Sequence, residues 1–303
     1  MSHPSSETVE LATLPSLKVL PFRTTFVRQS PRPASMPLTQ SITLNDGNNI
    51  PVIAKGKECA QAVTWALQAG YRHIDTAQIY GNEEQVAAGI LASGVPRSEI
   101  YITTKVYWNS SSVTQQDTIQ KCEESLRKLK TDYVDLYLIH APQPGTRKET
   151  WLALESLKKA GKAKSIGISN YGVHHIKEMD EYATIVPAVN QFEVHPFLAQ
   201  DDVVAECKAR GIAVEAWGSV TRGRDLEDPR LVAIAGKYGK TSAQILLRWA
   251  VDQGYIIIPK SVHKNRIIEN QDVFDFKLDE GDLKEMATFN VNSATGWVPQ
   301  AWE

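Results

Sequence analysis

From residue 41 onward, short apolar runs alternate with longer amphipathic segments along the chain. The runs are rich in β-branched and aromatic residues, which marks them as strands. They predict strands over Ile50–Ala54, Tyr71–Ala77, Tyr101–Val106, Val134–Ala141, Ala163–Asn170, Val186–Val194, Ile212–Ser219 and Tyr255–Ser261. Between them, the helical period predicts helices such as Glu83–Ala92, Gln116–Leu129, Glu149–Ala160 and Ser242–Asp252. Thr241 is placed to cap the last of these and Gly161 to end the third. Ahead of the first strand, SITLNDGNNIPVI carries a DG pair between two β-rich runs, the mark of a hairpin. Eight strands alternating with helices fit an α/β chain folded as a (β/α)8 TIM barrel, with an N-terminal β-hairpin and a C-terminal loop over the substrate.

Polar residues at the C-terminal ends of these strands sharpen that picture. Asp75, Lys105, His140, Asn170, Gln191, Trp217 and Lys260 stand there in succession. A barrel gathers those ends on one face, where its chemistry is placed. A carboxylate at Asp75, at the end of a buried strand, is costly unless a cation meets it. Lys105 ends the neighbouring strand and supplies one. Beside Tyr80, the same cation favours phenolate and would lower the phenol pKa, giving a group able to exchange a proton near neutrality. His140, in LIHAP, would orient or polarise the oxygen that Tyr80 protonates. For any pair of these residues a plain buried ion pair or a satisfied histidine is an adequate account. Four converging on one face are better explained by chemistry.

An anion site is suggested after the last strand, in IIIPKSVHKNRIIEN. Lys260 and Ser261 end that strand, Arg266 lies near a helix start, and Glu269 and Asn270 follow one turn on. Cations at a helix start suit a phosphate, and Arg266 can grip it with a planar fork. Trp217 could be core, or a platform for a flat ring. Ser169, Asn170 and Gln191 set hydroxyl and amide groups on the same rim, so the whole has the dimensions of a dinucleotide. No GxGxxG follows a strand, which removes the Rossmann fingerprint.

The stretches LNDGNNIPVI, GYRHIDTAQIYGNEEQV, ITTKV, DLYLIHAP, SIGISNYG, VNQFEVHP and IPKSVHKNRIIEN, in this order, resemble the aldo-keto reductases, most closely the microbial ones. The resemblance implies NADPH-dependent reduction of a small carbonyl compound by a monomer. It assigns Asp75, Tyr80, Lys105 and His140 to the catalytic tetrad, with Tyr80 as proton donor. It assigns Ser169, Asn170 and Gln191 to the nicotinamide carboxamide, with Trp217 stacked where the family usually has Tyr. Lys260, Ser261 and Arg266 fall on residues that hold the 2′-phosphate, and Glu269 and Asn270 on those near the adenine. Trp108, His140 and Trp297 would line the substrate pocket, with Tyr107 and Trp302 as further aromatic walls. Two departures stand out. The family's glycine-rich GxGT segment after the first strand is missing from IPVIAKGKECAQAV, and GSVTRG follows Trp217 where a Pro-Leu step is usual. The first of these keeps open a second reading, a nucleotide-binding relative with impaired catalysis.

Composition narrows the setting. A formal charge of −2 offers no field for nucleic acid or anionic membrane, and no apolar run approaches the roughly 20 residues that span a bilayer. Cys59, Cys122 and Cys207 form no metal-ligand spacing, and the adjacent His174 and His175 are expected to diverge, so a metal-dependent hydrolase ranks last. Residues 1–35 read as a disordered tail, or as a transit peptide that Glu7 and Glu10 argue against. The barrel domain is expected over 36–303. A cytoplasmic location follows, with the mitochondrion as the alternative.

Overall fold

The computed structural model describes residues 40–54 and 60–303; the expectations for 1–35, Cys59 and most of the AKGKEC stretch lie outside the described residues. A hairpin comes first, β1 (Ser41–Thr43) paired antiparallel with β2 (Asn49–Pro51) around the Asp46–Gly47 turn. The chain then alternates. Helix α1 (Ala60–Gln68) precedes β3 (His73–Asp75), and α2 (Glu83–Ser93) precedes β4 (Tyr101–Val106). Next come α3 (Gln115–Leu129), β5 (Val134–Ile139), α4 (Arg147–Lys159) and β6 (Ala163–Ser169). They are followed by α5 (Val173–Glu178), β7 (Val189–Glu193), α6 (Asp201–Ala209) and β8 (Ala213–Trp217). Last are α7 (Pro229–Tyr238), α8 (Ser242–Asp252), β9 (Ile256–Ile257), α9 (Lys264–Asn270) and α10 (Glu280–Ala287).

Strands β3 to β9 form one parallel sheet in chain order. The sheet is rolled: Gln191 on β7 reaches Asp75 on β3, although three strands separate them in the sheet order. This is the curvature of a (β/α)8 fold. Two apolar layers follow from it. The larger one, with Trp151, Leu154, Ile166, Ile168 and Leu246, lies between helices and sheet. The smaller one, with Leu44, Ile50, Tyr101, Leu136, Leu138, Val189 and Ile256, joins the hairpin to strand residues. Asn45 Nδ2 donates to Pro187 O, and Asp46 pairs with Lys158 at 2.7 Å, so the hairpin is pinned beside the start of β7.

Helix ends match their sequence signals. Thr241 accepts from Gln244 N in a full capping box, Thr114 does the same at α3, and Gly161 follows α4 in the left-handed region. Helix α3 buries Thr118, Cys122, Ser125, Leu126 and Leu129, one stripe at helical spacing.

The first barrel strand departs from expectation. Instead of one strand over Ile50–Ala54, β2 pairs back with β1, and among the described residues a single bridge joins Ile53 to Ile257. Ala54 N donates to Ile257 O and Ile257 N to Val52 O, at 2.8 and 2.7 Å. Pro51 has no N–H to extend a ladder, and among the described residues this segment makes no backbone pairing with β3. The last strand is correspondingly short. Tyr255–Ser261 reduces to Ile256–Ile257, because its neighbour offers so few partners and Pro259 offers no donor. Val186–Val194 shrinks to Val189–Glu193, with Val186 exposed.

Candidate active site

The site is built on the ends of β3, β4, β5, β6, β7 and β8. Lys105 is fully buried in β4 and donates to Asp75 Oδ1 and Oδ2 at 2.6 and 2.7 Å, and to Thr76 O at 2.9 Å. All three ammonium hydrogens are thus occupied, and the buried charge is paired. Burial works against the Lys105 cation, but Asp75, Tyr80 and Glu215 together hold its pKa above the ordinary value.

Tyr80 follows Asp75 on a single 3-10 turn, Gln78–Tyr80. Gly81, at φ 64°, reverses the chain after it, in a conformation a side chain would resist. Thr76 Oγ1 donates to Asn82 Oδ1 at 2.7 Å and closes the loop, while Gln78 Nε2 fastens it to Lys121 O and Ser125 Oγ of α3. The half-buried phenol ring then stands 5.4 Å from Lys105 Nζ and edge-on to His140, 5.5 Å between ring centres. The expected lowering of the Tyr80 pKa is not what results. Burial pushes the phenol up; the Lys105 cation pulls down, Asp75 and Glu215 push up, and the net shift is upward. Tyr80 is therefore a phenol at neutral pH.

Amide groups complete the wall. Asn170, at φ 61°, donates from Nδ2 to His140 O at 2.9 Å and to Ser169 Oγ at 3.1 Å, and its Oδ1 accepts from Trp217 Nε1 at 3.0 Å. Ser169 Oγ donates to Gln191 O at 2.7 Å. Gln191 Nε2 donates to both Asp75 Oδ1 and Glu215 Oε2, each at 2.9 Å. Both amides thus spend their donors inside the protein.

Above this floor lies an aromatic rim. Trp297, in the C-terminal tail, meets Tyr107 at 5.9 Å, His140 at 6.5 Å and Trp302 at 5.1 Å between ring centres. Tyr107 also meets His140 at 6.0 Å. Trp108 is instead buried and donates from Nε1 to Thr150 Oγ1, so the ring beside His140 belongs to Tyr107. Trp217 is half-buried with the Arg222 guanidinium 5.5 Å from its ring centre. A Cβ on Gly296 would lie 3.0 Å from Trp217 Cη2 and 2.6 Å from Arg222 Nη2, so the tail backbone passes close to both side chains here.

Lys260 and Arg266 are exposed, and Ser261 is buried with its Oγ accepting from His263 N. Glu269 accepts from Thr241 Oγ1 at 2.8 Å, and Asn270 is buried at the end of α9. The histidine pair does not diverge. The His174 and His175 rings lie 3.8 Å apart, His174 Nε2 bonds to Trp302 O, and His175 Nδ1 accepts from Gly172 N. Both are held by the tail and by the start of α5. Among the described residues no cluster of His, Cys, Asp and Glu could hold a metal ion, and no helix is long and apolar enough to cross a membrane.

Three features escaped the sequence reading. Glu215 lies two residues before Trp217 on β8, and the strand period alone would have put both on one face. The buried Glu193 Oε1 accepts from Thr295 N at 2.8 Å, from the Thr295 hydroxyl and from His195 Nε2, latching the tail to β7. No local signal pairs residues 193 and 295. His73 is buried against Thr103 Oγ1 at 2.8 Å.

The Aldo/keto reductase family model matches residues 54–291. This chain belongs to the aldo-keto reductase family. Glyoxal reductase of Bacillus subtilis is 43% identical to this aldo-keto reductase over 269 residues, covering 86% of this chain and 97% of the relative. Among solved structures, an aldo-keto reductase from a deep-sea metagenome library superposes with a TM-score of 0.81 at 40% identity, over 84% of this chain and 96% of its own. A Bombyx mori aldo-keto reductase in complex with NADP superposes with a TM-score of 0.80 at 39% identity, over 88% and 96% of the two chains. This aldo-keto reductase is accordingly an oxidoreductase that acts on carbonyl groups.

Proposed function

We propose that the protein reduces aldehydes or ketones to alcohols, with NADPH as hydride donor and Tyr80 as proton donor. The observation that carries this reading is the Lys105 ammonium, buried, saturated by Asp75 and Thr76, and set 5.4 Å from the Tyr80 ring. NADPH, when bound, supplies the hydride to the carbonyl carbon. As negative charge grows on the carbonyl oxygen, Tyr80 releases its proton to that oxygen. The phenolate left behind is stabilised by the Lys105 cation in a site sheltered from water. Asp75 keeps that cation from moving, and His140, edge-on to Tyr80, orients the oxygen.

The residues present fit the cofactor. Asn170 and Gln191 have committed their amide hydrogens, which leaves a lone pair on Asn170 Oδ1 and the Gln191 Oε1 acceptor for a carboxamide NH2. Ser169 supplies a hydroxyl beside them, and half-buried Trp217 a surface for a flat ring. Lys260, Ser261 and Arg266 would hold the 2′-phosphate, with Glu269 and Asn270 toward the adenine. Trp297, His140 and Tyr107, with Trp108 behind them, would bound a pocket for a small or aromatic carbonyl compound. The Bacillus relative named glyoxal reductase makes small dicarbonyls the first substrates to try.

The test is loss of NADPH absorbance with a dicarbonyl or an aromatic aldehyde. Tyr80→Phe is expected to lower kcat by about 10²–10⁴-fold while leaving NADPH binding, read from tryptophan fluorescence, nearly unchanged. A Phe variant as active as wild type would overturn the assignment. The single Ile53–Ile257 bridge favours a second reading, a nucleotide-binding relative without turnover. That reading predicts NADPH binding without reduction, and activity gained on restoring a GxGT segment.

A further inference from the structure

Glu215 is a fully buried carboxyl group that the proton transfer above does not use. It sits on β8 directly across the parallel register from Gln191. The Gln191 amide nitrogen has two hydrogens, and they go to two acids: Asp75 Oδ1 and Glu215 Oε2, both at 2.9 Å. Only the nitrogen end can lie between two carboxyl groups, so together they fix the Gln191 amide. A chain of contacts results, Glu215 to Gln191 to Asp75 to Lys105, with each member at most 3% exposed.

Charge along that chain does not balance if both acids ionise. The groups facing Glu215 are His73 and Asp75 on β3, Tyr101 and Lys105 on β4, and Gln191 on β7, with Tyr80 beyond. Lys105 is the cation among them, and it is committed to Asp75. Burial holds His73 neutral, its pKa lowered to about 3, and His73 Nε2 stays 3.9 Å from Glu215 Oε1. A second carboxylate would stand in a dry core without a counter-charge, which is strongly unfavourable. Burial and the Asp75 charge accordingly push the Glu215 carboxyl up to about 8, against the Gln191 bond and Lys105. Oε1, which has no hydrogen-bond partner among the described residues, is the oxygen left to carry the proton.

We propose that Glu215 is a positioning residue of this site. Through the Gln191 amide it fixes Asp75 and, behind it, the Lys105 ammonium; when it loses its proton to solvent, the added negative charge makes Tyr80 a weaker acid. This rests on the reductase reading above and extends it to a residue that touches neither substrate nor cofactor.

The experiment is the pH profile of kcat for wild type and Glu215→Gln, with NADPH and a dicarbonyl. Wild type is expected to lose about tenfold in kcat as Glu215 ionises, the effect of about one pK unit on the acid. Glu215→Gln should lack that step and keep the later one due to Tyr80, with KM for the carbonyl unmoved. A purely structural Glu215 would lower stability in the variant and leave the shape of the profile unchanged, which overturns the proposal. A second measurement needs neither a variant nor turnover: carbon NMR of the wild type labelled at glutamate carboxyls. One glutamate titrating well above the others is expected, and the absence of any such group overturns the proposal. A wild type that binds NADPH without turnover, yet shows this glutamate, would sink the reductase reading and leave the buried proton standing.

Discussion

At the floor of the site, Lys105 meets Asp75 at 2.6 and 2.7 Å with both side chains withdrawn from water. At the rim, Trp297 is 40% exposed and meets its neighbours through ring edges 5.1 to 6.5 Å apart. The floor is held by charge-assisted hydrogen bonds in a medium of low dielectric, where each bond is strong and a missing partner is costly. The rim is held by edge-to-face contacts of about 0.5–1.5 kcal/mol each, together with the Glu193–Thr295 latch. On the proposed reading the floor carries the chemistry. On the same reading the rim shapes what reaches the floor, and changes to it are expected to leave the proposed proton transfer in place.

The largest effect is expected from breaking the floor. Lys105→Met strands Asp75 as a buried, unpaired carboxylate and should cost about 3–5 kcal/mol in urea unfolding, with turnover lost. A variant as stable as wild type would mean that Asp75 takes up a proton instead.

Titration probes the same floor from both sides. His73 is held neutral by burial, its pKa down at about 3. Its contribution is present above the unfolded value near 6.5 and is lost as pH falls toward 3. Glu215 runs the other way: its folded pKa is raised, to about 8. That contribution is complete below the unfolded value near 4.3 and is lost as pH rises through 8. Each is worth on the order of a few kcal/mol. Between about 4.3 and 6.5 the two slopes oppose each other, so urea midpoints should level there. They should fall at lower pH through His73 and at higher pH, up to about 8, through Glu215, His73→Gln flattening the first fall and Glu215→Gln the second. Limbs unchanged in both variants would dissociate these two groups from the stability of the floor.

The latch comes next. Burial opposes the Glu193 charge, but bonds from His195 and Thr295 hold its pKa below the ordinary value. Thr295→Val removes the hydroxyl donor and should cost about 1–2 kcal/mol. KM for the carbonyl should rise several-fold while the alkaline step in kcat stays in place. A change in kcat alone would tie the latch to the floor rather than to the rim.

The smallest effect is expected at Trp297→Ala, which removes ring contacts worth about 1 kcal/mol. It should raise KM for an aromatic aldehyde by about fivefold and leave glyoxal nearly unaffected. Equal losses for both substrates would mean that Trp297 supports the site instead of lining it.

Much of the floor was legible because it lies along strands. Asp75, Lys105 and His140 are read from the ends of their own segments, and the hairpin from its DG turn. The pairing of Asp75 with Lys105 follows from neighbouring strands, β3 and β4, in register. The direction of the Tyr80 pKa was not legible in the same way. It depends on how deeply the ring is buried and on Glu215, which is far along the chain. The split first strand was half legible: Pro51 marks the break, but only pairing geometry reduces the remainder to one bridge.

The sequence by itself determined the alternation of elements, their order in the sheet, the capping of α8, the glycine that ends α4, and the set of polar residues at the strand ends. These depend on periodicities of two and of 3.6 residues and on turn chemistry, which act between near neighbours. Tertiary structure alone decided which distant groups are hydrogen-bonded: Gln191 between Asp75 and Glu215, Asn170 between His140 and Trp217, Thr295 on Glu193. Rolling the sheet brings side-chain atoms from strands remote in sequence within about 3 Å of one another, and removal from water then sets which acid keeps its proton. No local pattern encodes either.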